Sequence, residues 1–185
     1  MMWYQKLSGS QNRTKISDLA DRLEPLVKGI VAMNARLSSE LWHSVENLAI
    51  LPQAAALCYR VEQGRPEVLL ITTRQTRRWI IPKGWLMPGL TAAETATQEA
   101  WEEAGVVGKC SDQSLGQFPF VKMRPRKGPV LCMVDVYPLH VKSLAQEFPE
   151  KGQRKRQWCS LKKAASKVAS PELAVILRSF KSGLH

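Results

Sequence analysis

Residues 84–106, GWLMPGLTAAETATQEAWEEAGV, restrict the fold most strongly because they set both ends of one helix. Thr91 and Glu94 have the T-x-x-E spacing of a capping box, which predicts that the helix begins after Thr91. Gly105 is the type of residue that commonly ends a helix in the left-handed conformation. The sequence therefore predicts a loop over 83–90, rich in glycine and proline, followed by a short helix that ends at Gly105.

Three glutamates of this helix, Glu99, Glu102 and Glu103, lie at positions i, i+3 and i+4 and share one face. Like charges at this spacing repel, and the repulsion predicts a raised pKa for at least one carboxyl. A divalent cation relieves the repulsion, and oxygen ligands without histidine or cysteine suit Mg²⁺ or Mn²⁺. A solvent-exposed acidic face is the alternative interpretation. Glu94 lies on another side of the helix, where we expect it to act as a cap.

Around this unit, short apolar runs alternate with turns, which predicts a mixed sheet with interspersed helices. Strands are expected in the segments QAAALCYRV, EVLLITT, RWIIP, VVGKC, LGQFPFVKM and PVLCMVDVYPLHV. Two closing helices are expected, one capped by Ser160 and one capped by Ser170 with Pro171 at its first position. The predicted fold class is an α/β or α+β sandwich.

Residues 1–48 are expected to form a partly flexible helical extension ahead of a domain over 49–185. Apolar residues between Ile16 and Leu37 recur at alternating steps of three and four, which predicts helix. Pro25 predicts that this region is divided into two short helices. The apolar stripe fits packing on the chain's own domain or a dimer contact, so the sequence leaves both a monomer and a homodimer open.

The net charge of +11 on 185 residues favours a polyanionic ligand. No apolar run reaches the ~18–20 residues that a membrane-spanning helix needs. The first 17 residues lack the continuous apolar core of a secretory signal. The four cysteines are widely spaced, as expected for reduced thiols. We therefore expect a cytoplasmic protein without membrane contact, although the basic start of the chain leaves a transit peptide open.

The acidic segment resembles the Nudix box, G-x5-E-x7-R-E-U-x-E-E-x-G-U, in which U is a bulky apolar residue. Aligned without gaps, the matching positions are Gly84, Glu99, Glu102, Glu103, Gly105 and Val106. Two positions depart, because Leu90 replaces the early glutamate and Gln98 replaces the arginine. In the family that arginine helps to orient the neighbouring catalytic glutamate, so Gln98 bears on catalysis more than on metal binding.

The segments RRWIIPKG and KRQW further resemble the diphosphoinositol polyphosphate phosphohydrolase branch of the family and its bacterial relatives. The resemblance covers residues 52–180 and implies an α/β/α sandwich with a mixed sheet. It implies hydrolysis of a phosphoanhydride in a nucleoside diphosphate derivative, a diadenosine polyphosphate or a diphosphoinositol polyphosphate. Mg²⁺ or Mn²⁺ would be held by Gly84, Glu99, Glu102 and Glu103. The three glutamates would be catalytic, with Glu99 or Glu103 as the general base.

A small phosphorylated substrate needs arginine or lysine partners, and three basic clusters offer them. The candidate substrate-binding residues are Arg74, Arg78, Lys83, Arg126, Arg154 and Arg156. A solvated basic turn is the alternative for each cluster. Two other functions stay open: a catalytically weak or inactive phosphate-binding module, because of Gln98, and a nucleic-acid binder that uses the basic clusters. The second is not favoured, because no RNP-like aromatic pair is present.

Overall fold

The computed structural model describes residues 50–124 and 128–181. The helices expected over 15–47 and the candidate residue Arg126 lie outside these described residues. The elements are β1 (Ile50–Glu62), β2 (Arg65–Thr72), β3 (Trp79–Ile80), β4 (Lys83–Trp85), α1 (Ala92–Ala104), β5 (Val106–Val107), β6 (Gly116–Arg124), β7 (Gly128–His140), β8 (Ser143–Leu144), β9 (Arg156–Ser160), α2 (Leu161–Lys167) and α3 (Pro171–Ser179).

Seven of the described strands form one mixed sheet in the order β3-β2-β1-β7-β6, with β4 added to β1 and β9 added to β2. The two central strands are parallel, with Ile50 opposite Leu131 and Tyr59 opposite His140. The other strand pairs of this sheet are antiparallel. Strands β5 and β8 form a separate antiparallel pair. The predicted mixed sheet is therefore confirmed.

Helices cover both faces of the sheet. A Cβ atom on Gly84 would point at α1, whereas one on Gly116 would point at α3. Gly84 pairs with Ala54 of β1. Gly116 pairs with Val136 of β7, and Val136 pairs with Ala55, the next residue of β1. Because successive residues of a strand point to opposite faces, α1 and α3 lie on opposite sides. The predicted α/β/α sandwich is confirmed.

The core lies between the sheet and the helices on its two faces. Its largest fully buried side chains include Leu57, Leu69, Leu70, Phe118 and Leu139. All four cysteines are buried within it. Burying each apolar side chain of this size contributes roughly 1.5–3 kcal/mol to the stability of the fold. This burial holds the helices against the sheet. In the part of the chain that the structure describes, no helix is long and apolar enough to cross a membrane.

Both ends of α1 are as the sequence predicts. Glu94 N donates to Thr91 Oγ1 at 3.1 Å, and Thr91 N donates to Glu94 Oε2 at 2.8 Å, so the capping box is complete. Gly105 has a φ of 66°, and a Cβ there would lie 2.6 Å from Phe148 Cδ1. Glycine is therefore required at this end both by conformation and by close packing. Ser160 and Ser170 cap α2 and α3 as expected.

The prediction of a loop over 83–90 is wrong at its start. Lys83–Trp85 form β4, antiparallel to Gln53–Ala55 of β1. A further bond of 3.0 Å, from Ala56 N to Pro82 O, continues the pairing. Three residues are too short to show an alternating pattern, so only the partner strand reveals this one. The pairing fixes Gly84 to the sheet directly beneath α1.

Candidate metal and catalytic site

Glu99 lies in the middle of α1 with its carboxylate against Gly84. A Cβ atom placed on Gly84 would lie 1.7 Å from Glu99 Oε1 and 2.1 Å from its Cδ. Any side chain larger than that of glycine would therefore occupy the position of the carboxylate. The need for glycine at position 84 comes from this close approach, because its φ does not lie in the left-handed region.

Glu103 is buried, with only 8% of its surface exposed, and both of its carboxylate oxygens have partners. Oε2 accepts from the backbone N–H of Lys83 at 3.0 Å. Oε1 accepts from Nη2 of Arg154, whose side chain is equally buried. Burial raises the pKa of the Glu103 carboxyl, while the Arg154 guanidinium and the Lys83 N–H oppose that rise.

Glu102 is half-buried and accepts a hydrogen bond of 2.7 Å from Gln98 Nε2 to its Oε1. Gln98 is thus bonded to the second acid of the cluster and not to its own neighbour, Glu99. An amide in this position orients one carboxylate without adding the positive charge of an arginine. The side chain of Gln98 therefore orients the acid one turn further along the helix.

The pKa of Glu99 is raised to about 7, chiefly by burial and then by the negative charges of Glu103 and Glu102. The prediction that like charges would raise the pKa of at least one acid is confirmed. Desolvation is the larger cause, and it could not be read from the helix spacing alone. A carboxyl with a pKa near neutrality can exchange a proton with bound water under physiological conditions.

The raised pKa of Glu99 predicts a specific dependence of stability on pH. The unfolded chain loses this proton near the ordinary pKa of 4.5, but the folded protein retains it to about 7. The stability of the wild type should therefore fall, relative to Glu99→Gln, as the pH rises from 4.5 to 7. Urea unfolding of both proteins in EDTA measures the difference. A constant difference from pH 4 to pH 8 would contradict the assignment.

Arg154 connects the acidic residues to two turns of the chain. Its Nε donates to Glu150 Oε2 at 2.7 Å and its Nη1 donates to Thr72 O at 3.1 Å, in addition to the bond with Glu103. Arg74, an exposed residue, donates to the other oxygen of Glu150 at 3.1 Å. Two of the predicted substrate-binding residues therefore meet beside the acids. Glu150 was not predicted, because it lies in an irregular turn and matches no motif.

The other predicted basic residues have different surroundings. Arg156 donates from Nη1 to Ala104 O at 2.7 Å, at the end of α1, where a cation suits the free carbonyls. Lys83 places its Nζ 4.0 Å from the centre of the Phe120 ring, and burial lowers the pKa of its ammonium group. Arg78 is exposed in the turn before β3. The structure thus pairs Arg154 with Glu103, pairs Arg74 with Glu150, and gives Arg156 a bond at the helix end.

Whether a metal ion fits this site depends on the oxygen atoms of Gly84 and of the three glutamates. Among residues 50–124 and 128–181, no three His, Cys, Asp or Glu side chains converge in an arrangement that holds a metal. Both oxygens of Glu103 accept hydrogen bonds, one from Arg154 and one from the Lys83 N–H. The donor set is nonetheless suitable, because it consists of hard carboxylate oxygens beside a glycine that has no side chain. Mg²⁺ or Mn²⁺ held by Gly84, Glu99, Glu102 and Glu103 remains a prediction.

Comparisons with known proteins agree with this arrangement. The family model described as the NUDIX domain matches residues 51–180. Diphosphoinositol polyphosphate phosphohydrolase 3-beta from Bos taurus is 30% identical over 135 residues, which are 71% of this chain and 78% of that protein. Matching a family model over most of the chain establishes membership, whereas this identity leaves the substrate open.

Solved structures of other proteins share the fold. An Ap4A hydrolase from C. elegans has a TM-score of 0.51 and 20% identity, over 70% of this chain and 95% of that one. The NUDIX domain of Shewanella oneidensis NrtR, in complex with ADP ribose, has a TM-score of 0.52 and 15% identity, over 76% of this chain and 95% of that one. Identities this low show the fold alone. The match of the NUDIX family model over residues 51–180 establishes that the chain belongs to the Nudix family of pyrophosphohydrolases.

Proposed function

We propose that this chain is a divalent-cation-dependent hydrolase of a phosphoanhydride bond in a small phosphorylated substrate. One observation supports this most strongly: the carboxylates of Glu99 and Glu103 are gathered at β4, one against Gly84 and the other on the Lys83 N–H. A cluster of acids with raised pKa values is costly for the fold, and such costs are concentrated at functional sites.

The substrate class is proposed from the charge around the acids and from the named relatives. Arg154 is bonded to Glu103, and Arg74 to the neighbouring Glu150, where both would offset substrate phosphates. The bovine relative is named for diphosphoinositol polyphosphates, and the worm structure for Ap4A. We therefore propose a nucleoside diphosphate derivative, a diadenosine polyphosphate or a diphosphoinositol polyphosphate as the substrate. Lys83, Arg78 and Arg156 are weaker candidates for the same role.

Mg²⁺ or Mn²⁺, bound through Gly84, Glu99, Glu102 and Glu103, would stabilise charge on the phosphate oxygens and acidify a water molecule. Of the three acids, Glu99 is the best candidate for the general base. Both oxygens of Glu103 already accept hydrogen bonds, and Glu102 accepts one from Gln98. Glu99 would take the proton from the attacking water, and Arg154 would hold the phosphate in place.

Hydrolysis of a substrate panel tests this function. The panel contains diadenosine polyphosphates, diphosphoinositol polyphosphates, ADP-ribose, nucleoside triphosphates and 5′-triphosphorylated RNA, each assayed with Mg²⁺ and with Mn²⁺ at alkaline pH. We expect phosphate or nucleotide release from at least one of them. Glu99→Gln, purified in the same way, is the control for a contaminating hydrolase. Lack of turnover across the whole panel would reject the proposal.

A catalytically weak binding module is the second candidate function, and Gln98 distinguishes the two. If the missing arginine had abolished catalysis, Gln98→Arg would create turnover or raise it greatly. Because Gln98 bonds to Glu102 at 2.7 Å and not to Glu99, we expect Gln98→Arg to change kcat by no more than about threefold, the scale of a single surface pair. Steady-state kinetics measures this, and a large gain would favour the binding module.

A further inference from the structure

One buried amide of the sheet has no hydrogen-bond partner. Gln53 of β1 is 1% exposed, and among the residues that the structure describes neither its Nε2 nor its Oε1 is paired. An unpaired polar group in the interior is costly, so nearly all such groups in folded proteins have partners. The amide of Gln53 therefore indicates a partner that the chain itself does not supply.

The strand register places Gln53 on the face of the sheet away from the acids. Gly84 faces α1, so its neighbours Lys83 and Trp85 point to the opposite face. Trp85 is the partner of Gln53 in the pairing of β4 with β1, and partners in adjacent strands share a face. The acids and the amide of Gln53 therefore lie on opposite sides of the sheet.

Two further side chains reach this face from β6. Gly116 faces α3, which lies on the side of the sheet away from α1. Phe120 and Lys122 are four and six residues further along the strand, so they point the same way. We call five residues of this face the amide cluster: Gln53, Lys83, Trp85, Phe120 and Lys122.

The amide cluster spans the centre of the sheet. Strand β7 pairs with one edge of β1 and β4 with the other, so β1 and β7 separate β4 from β6. Steps of about 4.8 Å between neighbouring strands make this separation about 14 Å. Lys83 Nζ nevertheless lies 4.0 Å from the centre of the Phe120 ring, and Lys122 Nζ lies 4.8 Å from that of Trp85. These side chains therefore meet above the two central strands, where Gln53 lies.

The side chains that cover Gln53 can be displaced by a flat ring. All four are only half-buried, and within the described part of the chain neither lysine is paired with a carboxylate. A cation–π contact is weak at a partly exposed site, whereas a nucleobase stacks on an aromatic ring at least as strongly. An incoming base can therefore replace an ammonium group on Trp85 or on Phe120 and reach the amide.

We propose that the amide cluster binds the nucleobase of a nucleotide substrate, with the base stacked on Trp85 or Phe120 and hydrogen-bonded to the amide of Gln53. A side-chain amide offers a donor beside an acceptor, which matches an edge such as N6 and N7 of adenine. Gln53 is thereby a specificity-determining residue. The inference rests on the proposed function and narrows its three substrate classes to the two that contain a nucleobase.

The same residues argue against a diphosphoinositol polyphosphate at this place. An inositol polyphosphate carries phosphate groups around its ring, has no flat face for stacking, and needs charged donors for its phosphates. The amide cluster offers two ammonium groups, two aromatic rings and a neutral amide. Its rings and its amide would be left without a suitable partner.

Strand β4 connects the amide cluster with the acids. Gly84 lies against Glu99 on one face, and the next residue, Trp85, lies on the other. In the described chain β4 has a strand partner along one edge only, and at the other edge Lys83 N donates to Glu103. A nucleotide with its phosphoanhydride at Gly84 can therefore extend around this edge and place its base on Trp85.

Binding of α,β-methylene-ADP to the full chain tests the site, because its P–C–P bridge resists hydrolysis. Methylenediphosphonate has the same bridge without the nucleoside. In the presence of Mg²⁺, titration calorimetry should show that the wild type binds the nucleotide at least about tenfold more tightly. Most of this gain should disappear in Gln53→Met and in Trp85→Leu, with the affinity for methylenediphosphonate unchanged.

Gln117→Met is the matched control. This glutamine lies on the other face of β6, is exposed, and donates from Nε2 to Asp135 Oδ1 at 2.8 Å. The control should bind both ligands as the wild type does. Equal affinities of the wild type for the two ligands, or a full gain in Gln53→Met, overturn the inference. Trp85→Leu keeps the test valid if Gln53→Met does not fold.

The stability of Gln53→Met gives a readout that a purely structural glutamine would not give. Methionine is close to glutamine in size and shape and leaves no strongly polar group unpaired. The urea midpoint of this variant should therefore rise above that of the wild type. The midpoint of Gln117→Met, which loses a hydrogen bond, should not rise. A lower midpoint for Gln53→Met would show that the fold itself satisfies the amide, and it would overturn the role of Gln53 in binding.

The failure of this inference and that of the proposed function give different results. A chain that hydrolyses nothing in the panel can still show the gain from the nucleoside and its loss in Gln53→Met, which would support the site without the reaction. Conversely, hydrolysis of diphosphoinositol polyphosphates in preference to every nucleotide of the panel would keep the proposed function and remove the nucleobase from the amide cluster.

Discussion

Replacing Glu99 by glutamine is expected to lower kcat by about a thousandfold, the middle of the range for losing a general base. Glutamine preserves the size of the side chain beside Gly84 but cannot accept the proton of the attacking water. The carboxylate would also be lost as a metal ligand, so Mn²⁺ binding should weaken in the same variant. Steady-state kinetics on the best substrate of the panel, together with the spin resonance of free Mn²⁺, measures both effects.

Glu94→Gln is the matched control on the same helix. Glu94 is exposed and accepts the N–H of Thr91, so its loss affects the cap and leaves the acids beside Gly84 unchanged. This control should lower the stability slightly and leave kcat unchanged. A Glu99→Gln enzyme with a kcat within tenfold of the wild type would show that another group takes the proton.

Replacing Gly84 by alanine should lower kcat by about a hundredfold while leaving the fold intact. The added Cβ would lie 1.7 Å from Glu99 Oε1, so the carboxylate must move. It is the free end of a flexible side chain and can swing aside, which keeps the cost in stability small. A displacement of this size at a reacting group can cost about a hundredfold in rate. Thermal unfolding and kinetics on the same preparation separate the two effects.

Gly89→Ala gives the opposite expectation. Gly89 has a φ of 81°, and a Cβ there would meet no atom within 4 Å. The left-handed conformation costs an alanine about 1–2 kcal/mol, so this variant should lose stability and keep its activity. If Gly84→Ala keeps its activity and loses stability instead, the close approach of Gly84 and Glu99 has a purely structural role.

The sequence could predict the parts of the site that lie within one helix. The capping box at Thr91, the glycine at position 105 and the shared face of the three acids depend only on spacing along the chain. The same local logic predicts the caps of the two closing helices. The caps satisfy backbone groups of their own helices, and the shared face follows from helical geometry, so no distant residue is needed to recognise them.

The parts that escaped prediction depend on residues far apart in sequence. Strand β4 exists because Lys83–Trp85 meet Gln53–Ala55, and three residues carry no readable period. Glu150 reaches the site because its backbone N–H donates to Glu102 O at 3.0 Å, which holds its turn against the end of α1. The pairing of Arg154 with Glu103 requires the same turn. The sequence alone does not show whether a basic residue in such a cluster faces solvent or a buried carboxylate.

The parallel pairing of β1 with β7 also has a consequence for how the protein is made. Its partners are about eighty residues apart along the chain, from Ile50 opposite Leu131 to Tyr59 opposite His140. During synthesis, β1 emerges long before its central neighbour, and such long-range pairing is slow to form. The backbone groups along this edge of β1 therefore stay without their strand partner until β7 has been made. Helix α1 can form early, but its acids come to lie beside Gly84 only after β4 has paired with β1.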